Sequence, residues 1–470
     1  MSSAANRPLA GSVDRSFGSG GIVTHNLGSN GSPGMGGFAV QPDGKILVAA
    51  GSGLLARYRP NGSLDPSFGG GGYVETHSAY PVFVRAVALQ PDGKIVVAGS
   101  SSPPDANGAT EFMVARYNSD GSPDTTFGAD GVTSTAFPEL GGPPTSAADA
   151  LAILPDGRIV AAGSARVDLP ADPCFPPSMF ALARYTAGGA LDPTFGDDGI
   201  VQTSFNGQDA LAGIAVQSNG TIVASGAGDG AFCALRHGPS HVVTAPGITT
   251  IAVARYKPDG SLAGTTTTSA RLNYSGGPPV LEGGKVFVTG DDSGRLVIAR
   301  DEADNLVITR IKRVIGYPTA VLAQKDGKVL IAVSGNQQGE EVVRLLRTPN
   351  VRLDPSFGRG GVVSLPPSIS TPALAMQRDG KVLVGGGYSN TWTLTRFIGG
   401  NNCVVPGLGD NTVSKATTTL TEAYCRRGRI SRRFSSTVAR GRVISTVPTR
   451  STRLPGGTRV DLVVSKGKRP

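Results

Sequence analysis

Short apolar runs separated by turn residues recur through the first 400 residues of the chain. The stretch from Ala86 to Gly131 shows the unit: AVALQPDGKIVVAGS, a loop, then FMVARYNSDGSPDTTFGADG. Alternating apolar residues predict a strand, Pro91-Asp92-Gly93-Lys94 a tight turn, and the following apolar run a second strand. Phe112 to Tyr117 predicts a third. Asp-Gly between two apolar runs is a strong hairpin signal, because glycine accepts the positive φ that the turn demands.

The turn glycine recurs at Gly44, Gly93, Gly157, Gly220, Gly284, Gly327 and Gly380, six steps with a mean period of 56 residues. Five of these turns carry Asp-Gly, one Asn-Gly and one Gly-Gly, and the Lys, Arg or Thr that follows is expected to point to solvent. Each hairpin is followed by a third strand: LLARY at 54–58, FMVARY at 112–117, FALARY at 180–185, IAVARY at 251–256, LVIAR at 296–300, VVRLL at 342–346 and TLTRF at 393–397. A second signature, VDRSFG at 13, LDPSFG at 64, SPDTTFG at 122, LDPTFG at 191 and LDPSFG at 353, precedes short strands such as GYV or GIV. It fades near 262 and 305, where LVITRI at 306–311 still supplies a strand.

Four short strands repeated seven times predict an all-β chain, a seven-bladed β-propeller. The last unit stops after Phe397, whereas the chain opens with VDRSFGSGGIVT. Residues 12–25 are therefore expected to supply the outermost strand of the seventh blade and close the ring. The alternative, GIVT as the innermost strand of the first blade, is open at this point. Residues 1–11 are expected to be disordered, 12–398 to form the propeller, 399–402 a linker and 403–470 a second domain.

LDPSFG, ALQPDGKIVVAG and FMVARYN resemble the delta-60 repeat of bacterial surface and secreted proteins, and more distantly the NHL class of propeller repeats. The resemblance implies an architecture and brings no shared catalytic residues. Within CVVPGLGDNTVSKATTTLTEAYC, Val413, Ala416, Leu420 and Ala423 fall at helical spacing, and strands are predicted near 429–433, 442–446 and 459–464. With Val405-Pro406-Gly407-Leu408, Ala439 to Ile444, Pro448 and Leu454-Pro455-Gly456-Gly457, this tail resembles a PASTA domain, a small α+β fold. That likeness implies extracellular recognition of peptidoglycan and related muropeptides. It also favours a disulfide between Cys403 and Cys425, which would close a loop of about twenty residues worth roughly 3 kcal/mol.

Charge separates the two parts. Residues 401–470 hold fourteen Lys and Arg against Asp410, Glu422 and Asp461, a net of +11; the whole chain's +9 leaves −2 for the first 400 residues. The tail is thus expected to meet an anion, and Arg426, Arg427, Arg429, Arg432 and Arg433 are the candidate contacts. Only Tyr424 and Phe434 are available for stacking, so nucleic acid is not the expected partner.

Composition adds many turns: Gly at 67 and Pro at 34 make about a fifth of the chain, against roughly 12% on average. The opening residues MSSAANRPLAGS lack the charged start and apolar centre of a signal peptide and, taken literally, suggest a cytosolic chain. A disulfide implies an oxidising compartment, so a leader upstream of this start, or one already removed, is expected.

Cys174 and Cys233 fall in long loops of adjacent units, where a second disulfide is plausible by position. Together with His237 and His241 they would also make a Cys2His2 zinc set, but Gly238-Pro239 forbids one regular helix carrying both histidines. Each Asp-Gly turn offers one carboxylate where calcium wants six to eight oxygens. The repeated Arg of ARY and Asp of LDPSF are expected to pair within or between blades. His25, His77, His237, His241 and Trp392 share no motif, and the chain has no nucleophile elbow or phosphate loop. No catalytic, cofactor or metal residue is assigned. The expectation is a monomeric, non-enzymatic exported bacterial protein, with a propeller that recognises or displays and a tail that binds peptidoglycan or another anionic wall polymer. The rival is a hydrolase or sugar dehydrogenase with its pocket at the central channel.

Overall fold

The computed structural model describes residues 10–26, 35–76, 78, 80–103, 109–137, 144–167, 178–205, 209–228, 250–268, 274–282, 285–292, 294–302, 305–324, 326–335, 339–346, 351–388, 391–399, 402–422, 425–450, 452–455 and 458–469. Among them the apolar runs form a succession of antiparallel sheets, most of four strands paired in chain order. The first sheet is Met35–Val40, Ile46–Ala50, Leu54–Tyr58 and Tyr73–Glu75; the second is Val82–Leu89, Ile95–Ser101, Glu111–Tyr117 and Val132–Thr135. The third is Pro144–Ile153, Ile159–Val167, Ser178–Tyr185 and Ile200–Thr203, and the fourth Ala210–Val216, Ile222–Gly228, Thr250–Tyr256 and Leu262–Thr267. The fifth is Tyr274–Glu282, Lys285–Asp292, Arg295–Glu302 and Asn305–Ile315. In the sixth, Tyr317–Ala323, Val329–Gly335 and Gly339–Leu346 are followed by two short strands, Arg352–Leu353 and Val362–Ser364, both paired with Gly339–Leu346.

A seventh sheet draws on both ends of this region. Ala373–Met376, Val382–Tyr388 and Thr391–Phe397 are joined by Ile22–Asn26, with Ile22 opposite Thr395 and Asn26 opposite Thr391. The Asp14 N–H donates to the Arg396 carbonyl at 2.7 Å, and Val13 bridges Phe397. The first strands of successive sheets contact one another, and Ala373–Met376 touches Met35–Val40.

Apolar residues are buried in layers between neighbouring sheets. Val160, Phe180 and Leu182 of the third sheet pack on Ile222, Ala224 and Tyr256 of the fourth. Trp392 and Leu394 of the seventh pack on Ile46, Val48 and Tyr58 of the first. Each fully buried Val, Leu, Ile or Phe among them contributes about 1.5–3 kcal/mol of hydrophobic stabilisation. A sheet with both faces covered needs near-continuous apolar strands rather than strict alternation, hence runs such as ILVAA, every residue of which is buried.

The tail folds separately around the helix Val413–Glu422. The Thr412 hydroxyl caps it by accepting from the Lys415 N–H at 3.3 Å. Its apolar stripe, Ala416 and Leu420, packs on Val443, Val460, Leu462 and Val464 of a three-stranded sheet ordered Arg426–Arg433, Arg459–Ser465, Val443–Val447. A pair of short strands, Asn402–Val404 with Arg453–Pro455, adds to the domain, which is mostly strands.

Candidate functional site

The repeated charges come together, but as a structural device. In five sheets the third-strand arginine donates through Nε to the aspartate of the following signature: Arg57 to Asp65 at 2.9 Å, Arg116 to Asp124 at 2.7 Å, Arg184 to Asp192 at 2.8 Å, Arg344 to Asp354 at 2.9 Å and Arg396 to Asp14 at 2.9 Å. The same guanidinium lies over the signature's phenylalanine, 4.5 Å from the Phe68 ring centre and 4.6 Å from that of Phe127. Its Nη1 reaches into the next sheet. Arg57 donates to the Ser119 carbonyl and Arg116 to the Ala187 carbonyl, both at 2.5 Å, Arg184 to Pro258, Arg344 to Gly399, and Arg396 to Pro60 at 2.5 Å.

One expectation is corrected here. The cation after each Asp-Gly turn does not simply point to solvent; it bends back to the same aspartate. Lys45 lies 3.2 Å from Asp65, Lys94 2.7 Å from Asp124, Arg158 2.9 Å from Asp192, Lys328 3.3 Å from Asp354 and Lys381 2.8 Å from Asp14. The second cation offsets part of the desolvation that the nearly buried carboxylate suffers. The other carboxylate oxygen accepts from a hydroxyl two residues on, as Ser67 does for Asp65 at 2.8 Å. Burial alone would raise the Asp65 carboxyl, but the hydrogen bonds from Ser67 and Lys45 and the Arg57 charge outweigh it and bring it to about 2. Similar contacts hold Asp14, Asp124, Asp192 and Asp354 below the ordinary carboxylate range. The clamp also explains the glycine of the facing turn. Gly121 has φ +93°, and a Cβ there would sit 2.9 Å from the Phe68 ring. With every arm engaged, the clamps have nothing to offer a ligand.

The tail arginines are placed otherwise. Arg426–Arg433 is an edge strand, parallel to Arg459–Ser465 and without a second neighbour among the described residues. Arg426, Arg427, Arg429, Arg432 and Arg433 are all exposed. Among the described residues none of their side chains forms an ion pair. Asp461, one of the tail's three acids, accepts the Arg429 backbone N–H at 2.6 Å. Arg426 stands opposite Arg459, a further cation. Ile430 and Phe434 are exposed beside them at 40% and 48%, and Lys466 lies 5.3 Å over the Phe434 ring. Cations along an edge also discourage edge-to-edge aggregation, a role that any anion-binding role shares. Five guanidinium forks with open donors can take carboxylates or phosphates two bonds at a time.

Of the remaining candidates, Cys425 is buried at 3% exposure in the tail core and is disulfide-bonded. The side chain of Cys403 and all of Cys174, Cys233, His77, His237 and His241 lie outside the described residues. His25 stacks on Trp392, ring centres 5.3 Å apart, and Trp392 Nε1 donates to the Tyr58 hydroxyl at 2.8 Å. Among the described residues no group of three His, Cys, Asp or Glu is placed to hold a metal ion. No described helix is long and apolar enough to cross a membrane.

One pair escaped the sequence reasoning. Five inner strands carry a β-bulge at matching places, and the bulged residues are Gly36, Arg85, Asp149, Ala212 and Thr319. Arg85 and Asp149 meet across two sheets at 2.9 Å. The available signal was a charge interrupting an apolar inner strand, VFVRAVAL and TSAADALAI. Burial raises the Asp149 carboxyl, and Arg85 only partly opposes this.

Residues 41–68, 90–127 and 154–195 match a family model described as a domain of unknown function (DUF5122) beta-propeller, and residues 404–466 match the PASTA domain. Each propeller match starts at the hairpin turn and ends at or beside the clamp phenylalanine. No curated protein matches the chain. Among solved structures, the WD40 beta propeller domain of Doa1 aligns at 10% identity and TM-score 0.45, over 80% of this chain and 96% of that one. U3-55K aligns at 11% identity and TM-score 0.46, over 79% and 98%. YCF48 bound to D1 peptide aligns at 9% identity and TM-score 0.44, over 82% and 99%. The chain thus carries DUF5122-type β-propeller repeats within residues 41–195 and a PASTA domain at residues 404–466.

Proposed function

We propose that this is an exported protein of the bacterial cell envelope, whose PASTA domain binds peptidoglycan or another anionic wall polymer through the arginine edge strand. The observation that carries the proposal is five exposed arginines without ion pairs on a PASTA domain of net charge +11. The propeller is non-enzymatic on this reading: a seven-bladed ring over residues 12–398, shut by pairing of Ile22–Asn26 with Thr391–Phe397, that recognises or displays. Residues 399–402 link it to the domain at 403–470, and Cys425 bonds to Cys403. Extracellular placement fits that disulfide.

Cosedimentation with purified peptidoglycan tests the binding, comparing the full chain with residues 1–400. Retention of the full chain above that of residues 1–400, by a margin that shrinks as salt screens the charges, supports it; equal retention of both rejects it. The Arg85–Asp149 pair is the one observation favouring a small-molecule pocket at the centre of the propeller. A small ligand retained in native mass spectrometry by the wild type and lost in Asp149→Ala would promote that second reading.

A further inference from the structure

The repeat is its own control, and the first unit departs from it at the outer rim. The residue that opens the outer strand is Ile22, Val132, Ile200 or Val362 in four other units, each half-buried. In the first unit it is Tyr73, 42% exposed. The loop before it is also stripped. Where other units read Ala129-Asp130, Asp197-Asp198 or Arg359-Gly360, this one has Gly70-Gly71, and a Cβ on either glycine would meet no atom within 4 Å. An aromatic ring therefore stands beside a ledge of bare backbone.

That ring borders a groove of about 560 Å³, walled on the far side by Asp120, Ser122 and Pro123 of the second sheet's turn. Tyr117 and Pro123 also line an adjoining groove of about 720 Å³, edged by Ser78, Thr133 and Ser134 and by a second exposed tyrosine, Tyr80, at 38%. The two grooves meet at Tyr117 and Pro123, which line both, and a chain-like ligand crossing these residues would use them as one cleft.

Its charge selects the ligand. Glu75, Asp120 and Asp130 line the cleft, and the only lining cation among the described residues, Arg116, is held by Asp124, Thr126 and the Ala187 carbonyl. Hydrogen bonds from Ser122 keep the Asp120 carboxyl below its ordinary range, hence ionised. A polyanion is repelled here. The carboxylates and hydroxyls call for a ligand rich in hydrogen-bond donors, and the tyrosine rings for one with flat apolar faces. A proline-rich segment has the faces but lacks N–H donors; a chain of neutral sugar rings has both.

We infer that this cleft binds a neutral oligosaccharide, with Tyr73 and Tyr80 stacking on ring faces and Glu75 and Asp130 accepting from hydroxyls. The site is independent of the tail and does not rest on its reading. Calorimetric titration of the full chain with the N-acetylglucosamine pentamer, cellopentaose and decaproline tests it. Saturable binding of at least one of the two sugars is expected. Tyr73→Ile, which installs the residue other units carry and so leaves folding intact, should weaken it about tenfold, as should Tyr80→Ala. A tail variant with Arg426, Arg427, Arg429, Arg432 and Arg433 each changed to Gln should bind the sugar as the wild type does. No saturable sugar binding, equal affinity in Tyr73→Ile, or binding of decaproline in place of sugar would overturn the inference.

Discussion

Arg184 and Arg432 are the same residue in opposite settings. Arg184 is 2% exposed and engages a carboxylate, a hydroxyl, a carbonyl of the next sheet and an aromatic face. Arg432 lies on an open edge strand with its donors in water. A buried guanidinium with all arms satisfied is part of the fold, and removing it leaves its partner's charge uncompensated. An exposed one is nearly free to remove, so what it contributes must be sought in binding. A third case lies between them. The fourth sheet keeps the arginine, Arg255, but no DPSFG segment follows it, and its Nη1 donates to Thr266 at 3.2 Å. That sheet still forms, so the clamp reinforces contacts between sheets rather than creating the sheets.

The comparison breaks first at the clamp. Arg184→Leu should destabilise the propeller by about 3–5 kcal/mol in chemical denaturation, because Asp192 would stay nearly buried with only Arg158 beside it. Arg184→Lys, which keeps a cation beside Asp192, should cost distinctly less. Equal losses would show that the charge on Asp192 is incidental.

Acid comes next. The clamp carboxyls have folded pKa values below the ordinary 3.8, to about 2 for Asp65. Their contribution is therefore fully present above about pH 4 and is lost as pH falls from 4 towards 2 and below. Thermal melts across that range should fall steeply for the wild type. Asp65→Asn, less stable at pH 7, should lose less on acidification than the wild type does. A parallel fall in both would contradict the assigned shift.

The turn cations should matter less. Lys94→Met removes one of two cations from Asp124 while Arg116 remains, so a loss of about 1 kcal/mol is expected by denaturation.

Much of this could be read from the chain. The repeat, its strands and the Arg–Asp pairing follow from spacing, because period-two apolar runs and Asp-Gly turns leave few alternatives. Other features were hidden for physical reasons. The carbonyl that accepts from Arg116 belongs to Ala187, 71 residues on, and no local pattern specifies a contact between sheets. Lys94 looked like a solvent-facing turn residue because only the folded sheet brings Asp124 within its reach. The arginines of the tail could be named from composition, but not their place on an edge strand. GYV read as one more short strand; the exposure of Tyr73 over a glycine ledge shows only in the fold.

The central claim, that the tail arginines serve binding while those of the repeat serve folding, has one direct measurement. The full chain with Arg426, Arg427, Arg429, Arg432 and Arg433 changed to Gln should melt as the wild type does, exposed substitutions usually costing no more than about 0.5 kcal/mol each. Cosedimented with purified peptidoglycan at low salt, it should be retained roughly tenfold less. Undiminished retention by a well-folded variant would contradict the account.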